Sequence, residues 1–127
     1  MTDLDDVNAA NDAFYAAHEG RDITAMSAVW EHTDRVVCVH PGWPFLRGWE
    51  LVEEAWQRIF EGVGRNQFIL TNSATQAVGD MAWVTLEENL VDRGETFAVA
   101  ATNVFVRVDG EWKMTAHHGS TIHARLG

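Results

Sequence analysis

The sequence predicts an α+β domain, with helices packed on one face of a strongly curved, mainly antiparallel sheet. Three observations carry that prediction. Apolar residues recur at steps of three and four through the first third of the chain. A short apolar run, Val36 to His40, then breaks at a proline-rich loop. The second half alternates as four long strands separated by glycine-containing turns.

The first helix is read from Leu4, Val7, Ala10, Phe14 and Ala17, which share one face at 3.6 residues per turn. Asp3 or Asp6 is the expected N-cap, because a carboxylate there accepts free backbone N–H groups. Gly20 suits the left-handed turn that ends such a helix. Asp22 opens a second helix, ITAMSAVW, with Ile23, Met26, Val29 and Trp30 on one side. Val36 to His40 is a short buried strand, and Trp49 to Phe60 is a third helix. Its apolar stripe is Leu51 or Val52, Ala55, Trp56, Ile59 and Phe60, and Gly62-Val63-Gly64 ends it. Strands then run from Phe68 to Val78, Ala82 to Val91, Thr96 to Val108 and Trp112 to Ile122. Gly79-Asp80, Asp92-Arg93-Gly94 and Asp109-Gly110 are the turns. The pattern is an antiparallel meander without linker or repeat.

Composition narrows the function. A chain of 127 residues is expected to form one domain, residues 1–127. The formal charge of −10, with no basic cluster, disfavours nucleic acid and anionic membrane surfaces as partners. The acidic N-terminus lacks the plan of a signal peptide, and no apolar run is long enough to span a membrane, so a cytoplasmic location is expected. The single cysteine, Cys38, excludes an internal disulfide and reads as a buried small hydrophobe.

Two motifs sharpen the picture. The stretch VVCVHPGWPFLRGW, Val36 to Trp49, carries an HPG and a GW element, and the chain closes on WKMTAHHGS. With the element order, these features resemble the SnoaL-like branch of the nuclear-transport-factor-2-like superfamily, which includes ketosteroid isomerases and polyketide cyclases. The resemblance covers essentially the whole chain. It implies a cone-shaped, cystatin-like α+β roll whose mixed or antiparallel sheet holds the N-terminal helices on its concave face. It further implies a cavity for a small apolar or aromatic molecule, and a homodimer through the outer sheet face. The fold hosts enzymes, ligand binders and association domains alike.

Candidate site residues follow from both lines. In ketosteroid isomerases the residue before the loop proline is the proton-transferring aspartate; His40 stands at the matching position. An imidazole titrates close enough to neutrality to take and return a proton. The isomerase's first-helix tyrosine would fall near Ala13 or Phe14, with Tyr15 one step off. Its buried aspartic acid would fall at Asn103 or Val104. Both departures argue against steroid isomerisation, while Asn103 remains a hydrogen-bond donor.

Strict alternation along the last strand turns Trp112, Met114, His118 and Ser120 inward, and Lys113, Thr115 and His117 outward. His118 is therefore the second acid/base candidate, and His117 is expected at the dimer face. The same counting from an inward Trp83 makes Glu87, not Glu88, the inward carboxylate. Trp43, Phe45, Trp56, Trp83, Asn103, Trp112 and Ser120 are the expected ligand contacts, aromatic rings giving flat surfaces for a planar ligand. His40, His117, His118, His123, Glu87 and Glu88 show no metal-ligand spacing, and neither a metal nor a cofactor is expected. Two functions stand side by side: a cofactor-independent isomerase, cyclase or hydratase using a histidine acid/base, and a non-catalytic dimerisation or ligand-carrier domain.

Overall fold

The computed structural model describes residues 2–64, 67–92 and 94–124. Three helices and six strands follow in the order α1 (Asp3–Gly20), α2 (Ile23–Val29), β1 (Val37–Val39), β2 (Leu46–Arg47), α3 (Trp49–Glu61), β3 (Gln67–Val78), β4 (Met81–Asp92), β5 (Glu95–Val108) and β6 (Glu111–Thr121). The expected α+β class and curved sheet are what the chain forms. Strands β3 to β6 make the antiparallel meander, in the sheet order β2-β1-β6-β5-β4-β3. The sheet is mixed because β1 runs parallel to β6, with Val39 beside His118.

Two cap assignments differ from the sequence reading. Thr2, not Asp3 or Asp6, caps α1: its hydroxyl accepts from the Asp5 N–H while the Asp5 carboxylate accepts from the Thr2 N–H. The left-handed residue after α1 is Arg21, at φ 51°, rather than Gly20. A non-glycine side chain accepts this conformation because it is anchored elsewhere. The Arg21 guanidinium donates to the carbonyls of Ile59, Phe60, Gly62 and Gly64, satisfying the otherwise open C-terminal end of α3. Asp22 caps α2 as expected, accepting from the Ala25 N–H.

At the Asp109-Gly110 turn both residues have positive φ, the conformation of a tight hairpin whose twist matches its strands. Arg93, in the expected second turn, lies outside the described residues. The Leu46–Arg47 pairing to β1 was not foreseen, since two residues carry no readable period. Between helices and sheet the core is aromatic and aliphatic: Phe14, Trp30, Trp56, Phe105, Met26 and Met114 are fully buried.

A bulge decides which side chains of β6 enter this core. Val104 pairs with Ala116 but Phe105 pairs with Met114, so Thr115 is an extra residue on β6. An extra residue reverses the alternation beyond it. Trp112 and Met114 point inward as expected, but past the bulge His117 and Gly119 are buried, whereas His118 and Ser120 are exposed.

Candidate active site

Five residues of the interior, Asn11, Tyr15, Glu88, Asn103 and His117, are joined in one hydrogen-bonded chain. Asn11 and Tyr15 lie one turn apart on the buried face of α1. Opposite them stand Glu88 of β4, Asn103 of β5 and His117 of β6, and the register sets Asn103 directly beside His117. The Tyr15 hydroxyl donates to Glu88 Oε2 at 2.6 Å. Asn103 Nδ2 donates to the Tyr15 oxygen at 3.1 Å and to Asn11 Oδ1 at 2.9 Å. The Asn103 carbonyl oxygen lies 2.6 Å from His117 Nδ1. Because that oxygen only accepts, Nδ1 carries the proton and Nε2 holds the lone pair of a neutral imidazole.

Burial sets the charge states. Glu88 is 5% exposed, and burial pushes its carboxyl up to about 7, against the opposing hydrogen bond from Tyr15. Burial and then the Glu88 charge raise the Tyr15 phenol well above its ordinary range. His117 is held well below the ordinary imidazole value by burial and then by its histidine neighbours, His40 first. A buried carboxyl poised near neutrality, joined through Tyr15 and Asn103 to a neutral imidazole, is an arrangement suited to holding and exchanging protons.

His40 directly follows β1, one residue past the end of the strand, and is buried, with Nε2 3.6 Å from Cys38 Sγ. Burial and then the His18 charge lower it to about 4. Its ring lies edge-on to Trp56 at 4.7 Å and to Trp43 at 5.0 Å, and 6.4 Å from His117. Trp43 is 41% exposed, so the loop after Pro41 sets against His40 a ring that itself meets solvent, while Phe45, 56% exposed, lies against His118.

Several expected contacts are placed elsewhere. His118 faces outward, 6.1 Å from Phe45, and Ser120 is exposed beside it; the Thr115 bulge is the cause. Trp83 lies on the outer sheet face, because Ala82, Val84, Leu86, Glu88 and Leu90 are the buried set of β4. Glu88 is consequently the interior carboxylate, and Glu87 is the outward one, accepting from Asn72. Trp112 does point inward, but it lies under the Arg107 guanidinium and walls a groove of about 580 Å³ between α1 and α2. Trp56 and Asn103 are interior as expected.

Asn11 and His18 were not named by the sequence reading, Tyr15 was set one step off a functional position, and Glu88 and His117 were expected to face outward. The signal was present for the α1 residues: Asn11, Tyr15 and His18 fall on the stripe marked by Val7 and Phe14. Four surface grooves, of about 580, 550, 160 and 630 Å³, have neither His40, His117 nor Glu88 in their walls. A molecule reaching these residues would have to move covering rings. Among the described residues no group of three or more histidine, cysteine, aspartate or glutamate side chains is placed to hold a metal ion.

Residues 7–124 match the model of the SnoaL-like domain. The chain belongs to the SnoaL-like domain family. Solved structures agree. A candidate dehydratase of the nuclear-transport-factor-2-like family from Streptomyces avermitilis is 37% identical, with a TM-score of 0.89 over 96% of this chain and 97% of that one. A candidate calcium/calmodulin-dependent protein kinase type II association domain from Thiobacillus denitrificans is 35% identical, with a TM-score of 0.85 over 91% and 94%. The F-box protein SKIP8 of Arabidopsis thaliana is 32% identical over 114 residues, 90% of this chain. This SnoaL-like chain spans about half that relative's length, 48%. No helix among the described residues is long and apolar enough to cross a membrane.

Proposed function

We propose that this SnoaL-like protein binds a small, mainly apolar organic molecule in the interior of the cone and catalyses cofactor-free proton transfer on it, of the isomerisation or dehydration type. The observation that carries this reading is the chain from His117 through Asn103 and Tyr15 to Glu88. An interior serving packing alone would not hold a carboxylate there, since burying one costs far more than an apolar residue of the same volume. The 37% identical candidate dehydratase supports the same reaction class.

In this reading His117 Nε2 takes a proton from a carbon beside a carbonyl. The C–H electron pair moves toward the carbonyl to form an enolate, which the imidazolium reprotonates at another carbon in isomerisation; where a β-hydroxyl leaves, the imidazolium returns its proton to it, giving water and an alkene. Asn103 fixes the imidazole tautomer, and the Glu88 carboxylate at the far end of the chain offsets the charge that develops on His117. His40, beneath Trp43, is the second imidazole able to exchange a proton with the substrate oxygen. His118 does not enter this reading, since it faces outward.

The test is solvent deuterium incorporation into a panel of enolisable aryl ketones, followed by proton NMR. Incorporation should exceed the buffer rate and fall about 100-fold or more in His117→Gln, the range for loss of a general base. Equal incorporation by wild type and His117→Gln would dismiss the assignment.

A homodimer through the outer sheet face is part of the same proposal. Trp83, Val104 and Ala116 form one cross-strand row there, with Met81 and Val106 in the next. Val104→Asp should convert a dimer to a folded monomer by sedimentation; a mass equal to wild type would end that claim.

A further inference from the structure

The hydrogen-bonded chain between Glu88 and His117 is able to run in two directions. The Tyr15 hydroxyl can turn, an amide turned over exchanges its oxygen for its N–H groups, and a neutral imidazole has two tautomers. No residue outside the chain holds either amide. Among the described residues the side chain of Asn11 bonds only Asn103, and that of Asn103 bonds only Asn11, Tyr15 and His117. Glu88 breaks the symmetry. Ionised, it can only accept, so Tyr15 donates to it and each bond behind follows in the direction observed. The short 2.6 Å between the Asn103 oxygen and His117 Nδ1 is an N–H···O contact and belongs to that direction.

Protonation of Glu88 removes the constraint and favours the reverse. Among the described residues Tyr15 is the one hydrogen-bond partner of the Glu88 carboxyl. While Tyr15 donates to Glu88, a carboxyl proton therefore has no acceptor, and a buried donor left unpaired is costly. In the reversed chain the carboxyl donates to the Tyr15 oxygen, Tyr15 donates to the turned Asn103 oxygen, and the Asn103 amide donates to His117 Nδ1. Asn11, held by a single bond, turns with Asn103 and donates to the same oxygen. His117 gives up the proton on Nδ1 and takes one on Nε2, so the proton on Glu88 is the one net gain.

We propose that Glu88 is the positioning residue that sets which nitrogen of His117 carries the proton: ionised, it leaves Nε2 a base, and protonated, it makes Nε2 a donor. The inference rests on His117 being the acid/base group of the interior and adds what governs it. The surroundings leave Glu88 as the member that titrates. Its cross-strand neighbours, Leu70 on β3 and Val99 on β5, are apolar. From α1 it faces Tyr15, and from β1 Cys38, both raised by burial and then by the Glu88 charge. Around His117 stand His40 and His18, lowered to about 4 by burial, with His118 on the outer face and the Trp56 ring from α3. Arg21 adds to the lowering of His18. Glu88, pushed up to about 7 by burial, therefore exchanges its proton in a range where the interior imidazoles stay neutral.

The experiment reads the His117 tautomer directly. Long-range nitrogen–proton correlation spectra of protein with isotope-labelled histidine show which ring nitrogen is protonated, with His117 assigned through His117→Gln. Carboxyl carbon spectra follow Glu88 over the same pH series, assigned through Glu88→Gln. From pH 8.5 to pH 5.5 the proton of His117 should move from Nδ1 to Nε2, with the midpoint of the Glu88 titration. Tyr15→Phe cuts the chain, so Glu88 should still titrate while the His117 tautomer ignores it. Deuterium incorporation into the aryl ketones should fall about tenfold per pH unit below the same midpoint, as the base form of His117 is depleted. A wild-type His117 tautomer that is the same on both sides of the Glu88 titration would overturn the proposal, and this result needs no variant to fold. Switching that persists in Tyr15→Phe would overturn it too. Incorporation that His117→Gln leaves unchanged would end the base reading and the positioning role together. A fixed tautomer with incorporation that still needs His117 would end the positioning role alone.

Discussion

Replacing Glu88 by glutamine tests whether the interior holds a strained carboxylate. The carboxyl has an ordinary value of 4.5 and is pushed up to about 7 by burial. Folding therefore favours its protonated form. Below pH 4.5 the group is protonated in folded and unfolded chains alike and costs nothing. As pH rises from 4.5 through 7, the folded protein must either keep the proton or bury the charge, and stability is lost. Integrated between pH 5 and pH 8, a rise of this size corresponds to roughly 2 to 3 kcal/mol. Glu88→Gln keeps an oxygen to accept from Tyr15 and removes the ionisation. Its extra amide protons lack acceptors, which costs about 1 to 2 kcal/mol independently of pH. Urea unfolding of both proteins at pH 5, 6, 7 and 8 gives the stability difference directly. Contributions from the histidines, present in both, cancel. The variant should gain on wild type by roughly 2 to 3 kcal/mol from pH 5 to pH 8, and overtake it between about pH 5 and pH 6. A difference constant to within about 0.5 kcal/mol across that range would refute the burial of a carboxylate at Glu88.

Other consequences can be checked on the same protein. His117→Ala removes a buried ring and leaves the Asn103 oxygen unpaired, and should cost about 3 kcal/mol in urea unfolding, whereas His118→Ala should stay within about 0.5 kcal/mol. Arg21→Ala opens the C-terminal carbonyls of α3 and should lower stability by about 2 kcal/mol; an unchanged unfolding midpoint would show the clamp to be idle. His40, lowered to about 4, contributes stability that is complete above its ordinary 6.5 and is lost as pH falls toward 4, so His40→Phe should flatten the acid limb of the stability profile. Cys38, fully buried with its thiol raised by burial, should react with a disulfide reagent only as fast as the protein unfolds globally.

How much of this was readable in the sequence depends on how local each signal is. The helix stripes, the Asp22 cap and the Asp109-Gly110 turn depend on neighbours within four residues, and they stand where the sequence puts them. The parallel pairing of β1 with β6 joins residues far apart in the chain, and no local pattern announces it. The α1 end was misread for a similar reason: Arg21 rather than Gly20 turns left-handed because its guanidinium finds carbonyls of α3, a contact made by tertiary structure. Asn103 was found because an amide within an apolar strand stands out wherever the strand lies. The pairs His117-His118 and Glu87-Glu88 were each resolved the wrong way. In a strand, neighbours face opposite sides, so the choice depends entirely on the phase of the alternation. For β6 that phase was carried from Trp112 across the Thr115 bulge, which reverses it. For β4 it was carried from Trp83, although Ala82, Val84, Leu86 and Leu90 form the more continuous apolar row.

The reversal matters because it replaces a serine-flanked histidine at the surface with a histidine wired into the core. Along the interior chain every donor points the same way. His117 Nδ1 gives its proton to Asn103, Asn103 gives to the Tyr15 oxygen, and Tyr15 gives to Glu88. Such a chain leaves the negative end at Glu88 and spends every donor within it, so among the described residues the one nitrogen of His117 left without a partner is the lone pair of Nε2. Charge on Glu88 polarises the series toward making that nitrogen more basic, while burial makes it less so. The two effects oppose each other at His117 but not at His40, whose partner is a neutral thiol. His117 is thus the interior imidazole joined to Glu88 through hydrogen bonds, and a change at Glu88 should be felt there before it is felt at His40.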